Sequence, residues 1–301
     1  MPGTLRAGLL SSLLLAIWPA LPAQARCSEH VPQARPQNAS RDIVGQDLDT
    51  ILERGFITFA AYEDFPPWSY EQGGNPVGVD IDIGRLIAEA LGVTARFILV
   101  APGETLEDDL RNWIWKGPVV GGSVANVMLH VPYDSAFACR VEQFVFTGQY
   151  HVEEVAIAYR RDAYPDDPPV PAYFRFDSVA VENDSIADFY LSAFPGGQVS
   201  RNVQRFPTMA AAMKGLTDGK TKAAMGPLAQ LEAGLSDELA VHAPPLPGFA
   251  VGSWVAGVGV HVRYRALAYA VDDAIVAAIQ DGRMAQIFAA HGLSFRPPEM
   301  R

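Results

Sequence analysis

Ile57-Thr58-Phe59-Ala60-Ala61, then a turn-rich stretch through Pro66-Pro67 and Gly73-Gly74, then an apolar repeat at Ile83, Leu86, Ile87, Ala90 and Leu91, then Phe97-Ile98-Leu99-Val100: the order of these segments decides the fold. The first and last are short apolar runs of strand length. The repeat between them follows 3–4 spacing, so its apolar residues share one face of a helix, and Gly92 sits where a helix ends. Asp80 and Asp82 fall at the predicted helix start, where a carboxylate meets free amides and the positive end of the dipole. Strand, helix and strand in this compass predict a parallel pair covered by the helix between them.

The same grammar recurs downstream. Strands are predicted at Val155–Tyr159, Ser178–Val181 and Lys222–Met225, with helices carrying Ile186, Phe189 and Tyr190 and starting again at Thr208. Pro227 suits the first turn of a further helix. The stretch Pro244-Pro245-Leu246-Pro247 marks a boundary. Beyond it come a strand over Val255–Val262, a helix with Leu267, Val271, Ala274, Ile275, Ala278 and Ile279 on one face, and a last helix with Met284, Ile287 and Phe288. Two α/β blocks with a returning tail predict two lobes.

Upstream, Arg6 is the sole charge in the first 25 residues, an apolar run spans Leu9–Trp18, and Ala23 and Ala25 form an A-x-A pattern. Residues 1–25 read as a signal peptide cleaved after Ala25, which places the product in the periplasm. The run is too short for a permanent membrane span, and no later stretch is long and apolar enough for one. Residues 26–47 read as a flexible lead-in. The chain of 301 residues carries a formal charge of −11, which becomes −12 without Arg6. Such a surface repels nucleic acid and anionic lipid. Cys27 and Cys139 are the only cysteines. In an oxidising compartment they can pair, or Cys139 is a small buried residue and Cys27 is idle.

Motifs for catalysis are missing. Gly215–Thr221 fails as a phosphate loop because Lys214 stands where its first glycine belongs. The six histidines show no metal-ligand spacing, and no cofactor is expected. The acidic pair Asp108-Asp109 with Glu107 could bind a cation, but a solvated helix start is the better reading.

Taken in order, four stretches resemble the family 3 periplasmic solute-binding proteins, the type associated with polar amino-acid uptake, over roughly residues 50 to 297. They are Tyr62-Glu63-Asp64-Phe65-Pro66-Pro67-Trp68-Ser69-Tyr70 with Gly78-Val79-Asp80-Ile81-Asp82-Ile83; Arg140 six residues before Phe146-Thr147-Gly148-Gln149-Tyr150; Val179-Ala180-Val181-Glu182-Asn183-Asp184-Ser185; and Asp281-Gly282-Arg283-Met284-Ala285-Gln286-Ile287-Phe288. The resemblance implies an α/β, two-lobed type II periplasmic binding protein fold with a two-stranded hinge and a central cleft. Lobe I would comprise 48–152 and 247–301, and lobe II 153–246, with crossings near 150–154 and 245–252.

It also implies a site. Arg140 would pair with a ligand carboxylate. Ser185, with Asp184 beside it, would offer a helix start to the same anion. Phe65 and Trp68 would form an aromatic wall, with core packing the competing reading for both. His130, Tyr133 and Asp134 would stand around the ligand's polar head. Two departures alter the ligand. Gly226-Pro227 replaces the aspartate that holds an α-ammonium in amino-acid binders, so an ordinary α-amino acid fits only if Asp134 or Asp184 takes that role. Residues 107–118 add Trp113, Trp115 and Lys116.

The leading reading is therefore a monomeric, non-enzymatic receptor. It captures a small polar or anionic solute and hands it to an inner-membrane ABC permease. The alternative is an accessory protein of a quinoprotein dehydrogenase that docks through exposed Trp113 and Trp115. An enzyme on this scaffold could nominate Asp134, His130 and Glu182, but no spacing compels it.

Overall fold

A computed structural model describes residues 45–118, 120 and 123–299. The leader through Ala25, the lead-in as far as residue 44, and the Gly121-Gly122 pair lie outside the described residues.

The first lobe begins with helix α1 (Leu48–Arg54), whose Asp47 cap accepts from the Thr50 amide at 2.9 Å. Strand β1 (Phe56–Tyr62), a hairpin of β2 (Tyr70–Gln72) and β3 (Asn75–Val77), helix α2 (Val79–Ala90) and strand β4 (Thr94–Val100) follow. Helix α3 (Leu106–Leu110) continues as a widened turn through Arg111–Trp115. Strand β5 (Val127–Tyr133) and helix α4 (Ser135–Arg140) lead into the 17-residue strand β6 (Phe144–Arg160). The second lobe holds β7 (Val179–Glu182), α5 (Ile186–Ser192), β8 (Val203–Phe206), α6 (Met209–Thr217), β9 (Ala223–Pro227), α7 (Leu228–Glu232) and β10 (Leu239–His242). Strand β11 (Ser253–His261) returns to the first lobe and is followed by α8 (Arg265–Gln280) and α9 (Arg283–Ala290).

One sheet runs through both lobes in the order β4-β1-β5-β11-β6-β9-β7-β8, with β10 also on β6. Strands β1 and β4 are parallel, as the strand–helix–strand pattern predicts. Alternation along each strand covers both faces. Ile57 and Phe59 join Val127, Leu129 and the α2 and α8 side chains, whereas Ala60 and Met128 face Leu110 and Ile114. In the second lobe, Val155, Ile157, Val179 and Val181 take one face with α5. Alanines 156, 158, 180 and 224 take the other, and their small side chains leave room for α6 and α7.

Strand β6 changes partners midway. Glu154 pairs with Ser253 of β11, and the next residue, Val155, pairs with Pro227 of β9. The lobes thus share β6. This is a two-lobed type II periplasmic binding protein fold.

Three expectations need correction. Asp80 stands in the first turn of α2 as expected but meets no free amides there: it is fully buried, because the preceding loop folds over the α2 terminus and its Pro67 and Trp68 carbonyls accept the Val79 and Asp80 amides. Trp115 is 5% exposed and packs with Trp113 against the Leu110–Ile114 cluster, so the pair offers no free docking anchor. Pro227 precedes α7 as its cap and ends β9.

The loop closure over α2 requires Gly78. Its φ is +122°, and a Cβ there would lie 2.2 Å from the Trp68 carbonyl oxygen. Gly78→Ala combines a disfavoured backbone region with a backbone clash, so it lowers unfolding stability by about 1–3 kcal/mol or more. Urea denaturation monitored by circular dichroism measures this, and an unchanged midpoint would refute the closure argument.

Candidate functional site

A cleft of about 530 Å³ lies between the lobes. The first lobe contributes Tyr62–Phe65 after β1, Pro102–Leu106 and Asp109 around α3, and His130 and Pro132 from β5. The second lobe contributes Glu182, and the returning strand contributes Trp254.

The floor is built around Asp80. The Tyr150 hydroxyl donates to Asp80 Oδ1 at 2.7 Å, and His130 Nδ1 lies 3.2–3.3 Å from both carboxylate oxygens and 3.1 Å from the Tyr150 oxygen. Irregular strands produce this convergence. Between Met128 and Val131 strand β5 carries one residue more than β11 opposite it, and His130 there has φ +54°. A bulge of this kind re-aims a side chain. Strand β6 carries a similar bulge between Thr147 and His151, with Gly148 at φ +52°, and this places Tyr150. Burial first, and then the Asp80 charge, push the Tyr150 pKa well above its usual value, so the group stays a donor.

Around this triad are Trp68, His151 and Glu153. Trp68 is 1% exposed, enclosed by the rings of His130 at 4.4 Å, His151 at 5.6 Å and Phe288 at 5.9 Å. It supports the floor from the core and does not form a ligand-facing wall. Burial lowers the His151 pKa to about 3 and raises that of Glu153 to about 7. Glu153 sits one residue before the partner change in β6. Its Oε1 accepts from the Glu154 and Ala229 amides, and its Oε2 has no partner.

The rim is acidic. Asp109 is buried, with Oδ2 accepting from the Tyr62 hydroxyl at 2.8 Å and Oδ1 from the Gly103 amide at 2.6 Å. It therefore belongs to the cleft, against the expectation of a solvated Glu107-Asp108-Asp109 helix start. Glu182 accepts from the Met209 amide at 3.1 Å, and burial raises its pKa.

Of the residues nominated from sequence, Phe65 and His130 line the cleft, edge to face with ring centroids 5.1 Å apart. The others are placed elsewhere. Tyr133 lies on the opposite strand face from His130 and Pro132 and borders a separate hollow with Phe146 and Asp272. Asp134 caps α4 by accepting from the Phe137 amide. Arg140, exposed in the last turn of α4, holds its guanidinium 5.5 Å from the Phe137 ring and does not line the cleft. Ser185 caps α5 by accepting from the Asp188 amide, and its own amide bonds to Glu182. Asp188, in the first turn of that helix, already accepts from the Asp184 amide and from Arg205 and Ser192. The helix start proposed for a ligand anion is thus occupied by the chain's own carboxylate. Asp184 is exposed and accepts from Asn183 Nδ2 at 2.7 Å. Cys139 is engaged in a disulfide, and Cys27 lies outside the described residues. The sequence reading gave no site role to Tyr62 or Trp254, and it set Asp109 aside as part of a solvated helix start. Only the acidic run at 107–109 carried a signal for any of them.

A floor of buried side chains thus lies between walls from the two lobes, beside the point where β6 changes partners. Residues 57–112, which lie in the first lobe, match the family model of the bacterial extracellular solute-binding proteins, family 3. No curated protein sequence matches. Among solved structures, the fold is similar to an ancestral cationic amino acid solute-binding protein, at 17% identity and TM-score 0.67, covering 81% of this chain and 99% of that one. It is similar to an amino acid ABC transporter substrate-binding protein from Streptococcus pneumoniae bound to L-arginine, at 17% identity and TM-score 0.57, covering 83% and 100%. It is also similar to substrate-binding domain 2 of Lactococcus lactis GlnP in an open conformation, at 15% identity and TM-score 0.57, covering 79% and 95%. At these identities the likeness is one of fold. Among the described residues no helix is long and apolar enough to cross a membrane.

Glu153 yields a pH prediction. Its folded-state pKa of about 7 exceeds the ordinary 4.5, so the native state holds the proton more tightly. Its contribution is complete below about pH 4.5 and is lost as pH rises through about 7. Glu153→Gln removes that loss, so its stability relative to wild type increases from pH 5 to pH 8 by up to about 3 kcal/mol. His151, held neutral by burial, has the opposite slope below about pH 6.5 and is present in both proteins. Paired urea titrations at the two pH values read the difference, and a difference independent of pH would contradict it.

Proposed function

We propose that this protein is a periplasmic receptor that captures a small polar solute by closing its lobes and delivers it to an inner-membrane ABC permease. The observation that carries this reading is the composition of the cleft wall. Tyr62, Phe65 and Asp109 come from one lobe, Glu182 from the other, and Trp254 from the strand that returns between them. Contacts divided in this way are complete only when the lobes approach, so ligand binding and closure are one equilibrium. The moving bodies in this reading are 153–246 on one side and 48–152 with 247–301 on the other, with the partner change at Glu154 and Val155 as one hinge strand. Structural neighbours among amino acid ABC transporter substrate-binding proteins, bound to L-arginine, support a small nitrogenous solute. The burial of Trp115 gives no support to a dehydrogenase-docking role.

A saturating solute at 100 times its dissociation constant should stabilise the protein by about 2.7 kcal/mol. It should also shrink the radius of gyration in small-angle scattering and change Trp254 fluorescence, with the fluorescence change lost in Trp254→Phe. A solute that binds tightly while leaving the scattering curve unchanged would defeat the closure reading.

A further inference from the structure

The polar groups around the cleft are almost all acceptors. Five carboxylates line it, Glu63, Asp64, Glu104, Asp109 and Glu182, and no lysine or arginine is among the described lining residues. The hydroxyls there have already committed their hydrogens, Tyr62 to Asp109 and Thr105 to Asp108 at 2.7 Å.

The floor points the same way for an independent reason. His130 is 8% exposed, lines the cleft, and has only its Nδ1 engaged. The Tyr150 hydroxyl gives its hydrogen to Asp80, so Nδ1 faces a carboxylate and a phenolic lone pair, both acceptors. Nδ1 therefore carries the hydrogen in the neutral ring, and the unpartnered Nε2 presents a lone pair. The Trp254 indole is the remaining side-chain donor. The walls add the rings of Phe65, Tyr62 and Trp254, whose negative faces attract cations.

From this we propose that the cleft selects an organic ammonium or guanidinium that carries no carboxylate of its own. The proposal rests on the solute-receptor reading above. A ligand carboxylate would enter a field of five like charges without an arginine to meet it, because Arg140 lies over Phe137 outside the lining. An ammonium or guanidinium supplies only donors, which is what a wall of acceptors can satisfy.

Agmatine and L-arginine separate the alternatives, since they share the guanidinium and differ by one carboxylate. Isothermal titration and thermal shift of the full exported chain should show saturable binding of agmatine or putrescine, with L-arginine weaker than agmatine by about tenfold or more, a gap of about 1.4 kcal/mol. Succinate and L-glutamate should be silent. Glu182→Gln should weaken the amine by about tenfold, with an unchanged circular dichroism spectrum. If L-arginine binds as tightly as agmatine, or if L-glutamate or succinate binds while the amines do not, the cation selection is wrong and the receptor reading stands. If none of the five probes binds, both readings fall.

Discussion

The carboxylate of Asp80 has left water entirely, and much of the molecule is arranged around that fact. A buried carboxylate needs donors, and here they are the Tyr150 hydroxyl at 2.7 Å and His130 Nδ1. Each comes from a different strand, and each strand is bulged where it supplies its residue. Asp80 itself is fixed by the loop carbonyls that seal the α2 terminus over Gly78. One hydrogen-bonded point therefore ties α2 to two central strands. It also orients the ring that forms the cleft floor. Removing a partner from such a group costs more than the bond itself, because the remaining charge stays buried.

The second constraint is β6. A 17-residue strand that pairs with β11 up to Glu154 and with β9 from Val155 belongs to both lobes. Glu153 sits at that junction with its carboxylate on the Ala229 amide of the second lobe, and His130 of the first lobe is near enough to act on its proton affinity. The floor and the hinge are thus electrostatic neighbours. Charge entering the cleft acts on groups that sit beside the strand's change of partners.

Most of the fold was legible because burial on both sheet faces writes long apolar runs. Ile57–Ala61, Phe97–Val100 and the Ile83–Leu91 repeat are all found where their periodicity places them. The bulges were not legible. His130 and Gly148 take left-handed backbone because of the strands opposite them, and no local signal marks that. Asp80 looked like a helix cap for the same reason. A carboxylate at a first turn has one sequence pattern whether water or a folded-back loop lies above it.

The site was less legible than the fold, and the reason lies in what a motif records. Arg140 and Ser185 occupy the positions that the resemblance assigns to an anion, yet the first sits over Phe137 and the second caps a helix start already filled by Asp188. A motif fixes where a backbone position falls in the fold, and the direction of its side chain depends on neighbours far away in sequence. Charge sign is more distributed still. Glu63, Glu104 with Asp109, and Glu182 come from three separate segments, and only the closing of the strand order brings them to one wall. Each looks like an ordinary solvated acid in isolation. Together, over a floor that offers a lone pair, they determine which charge the cleft can accept.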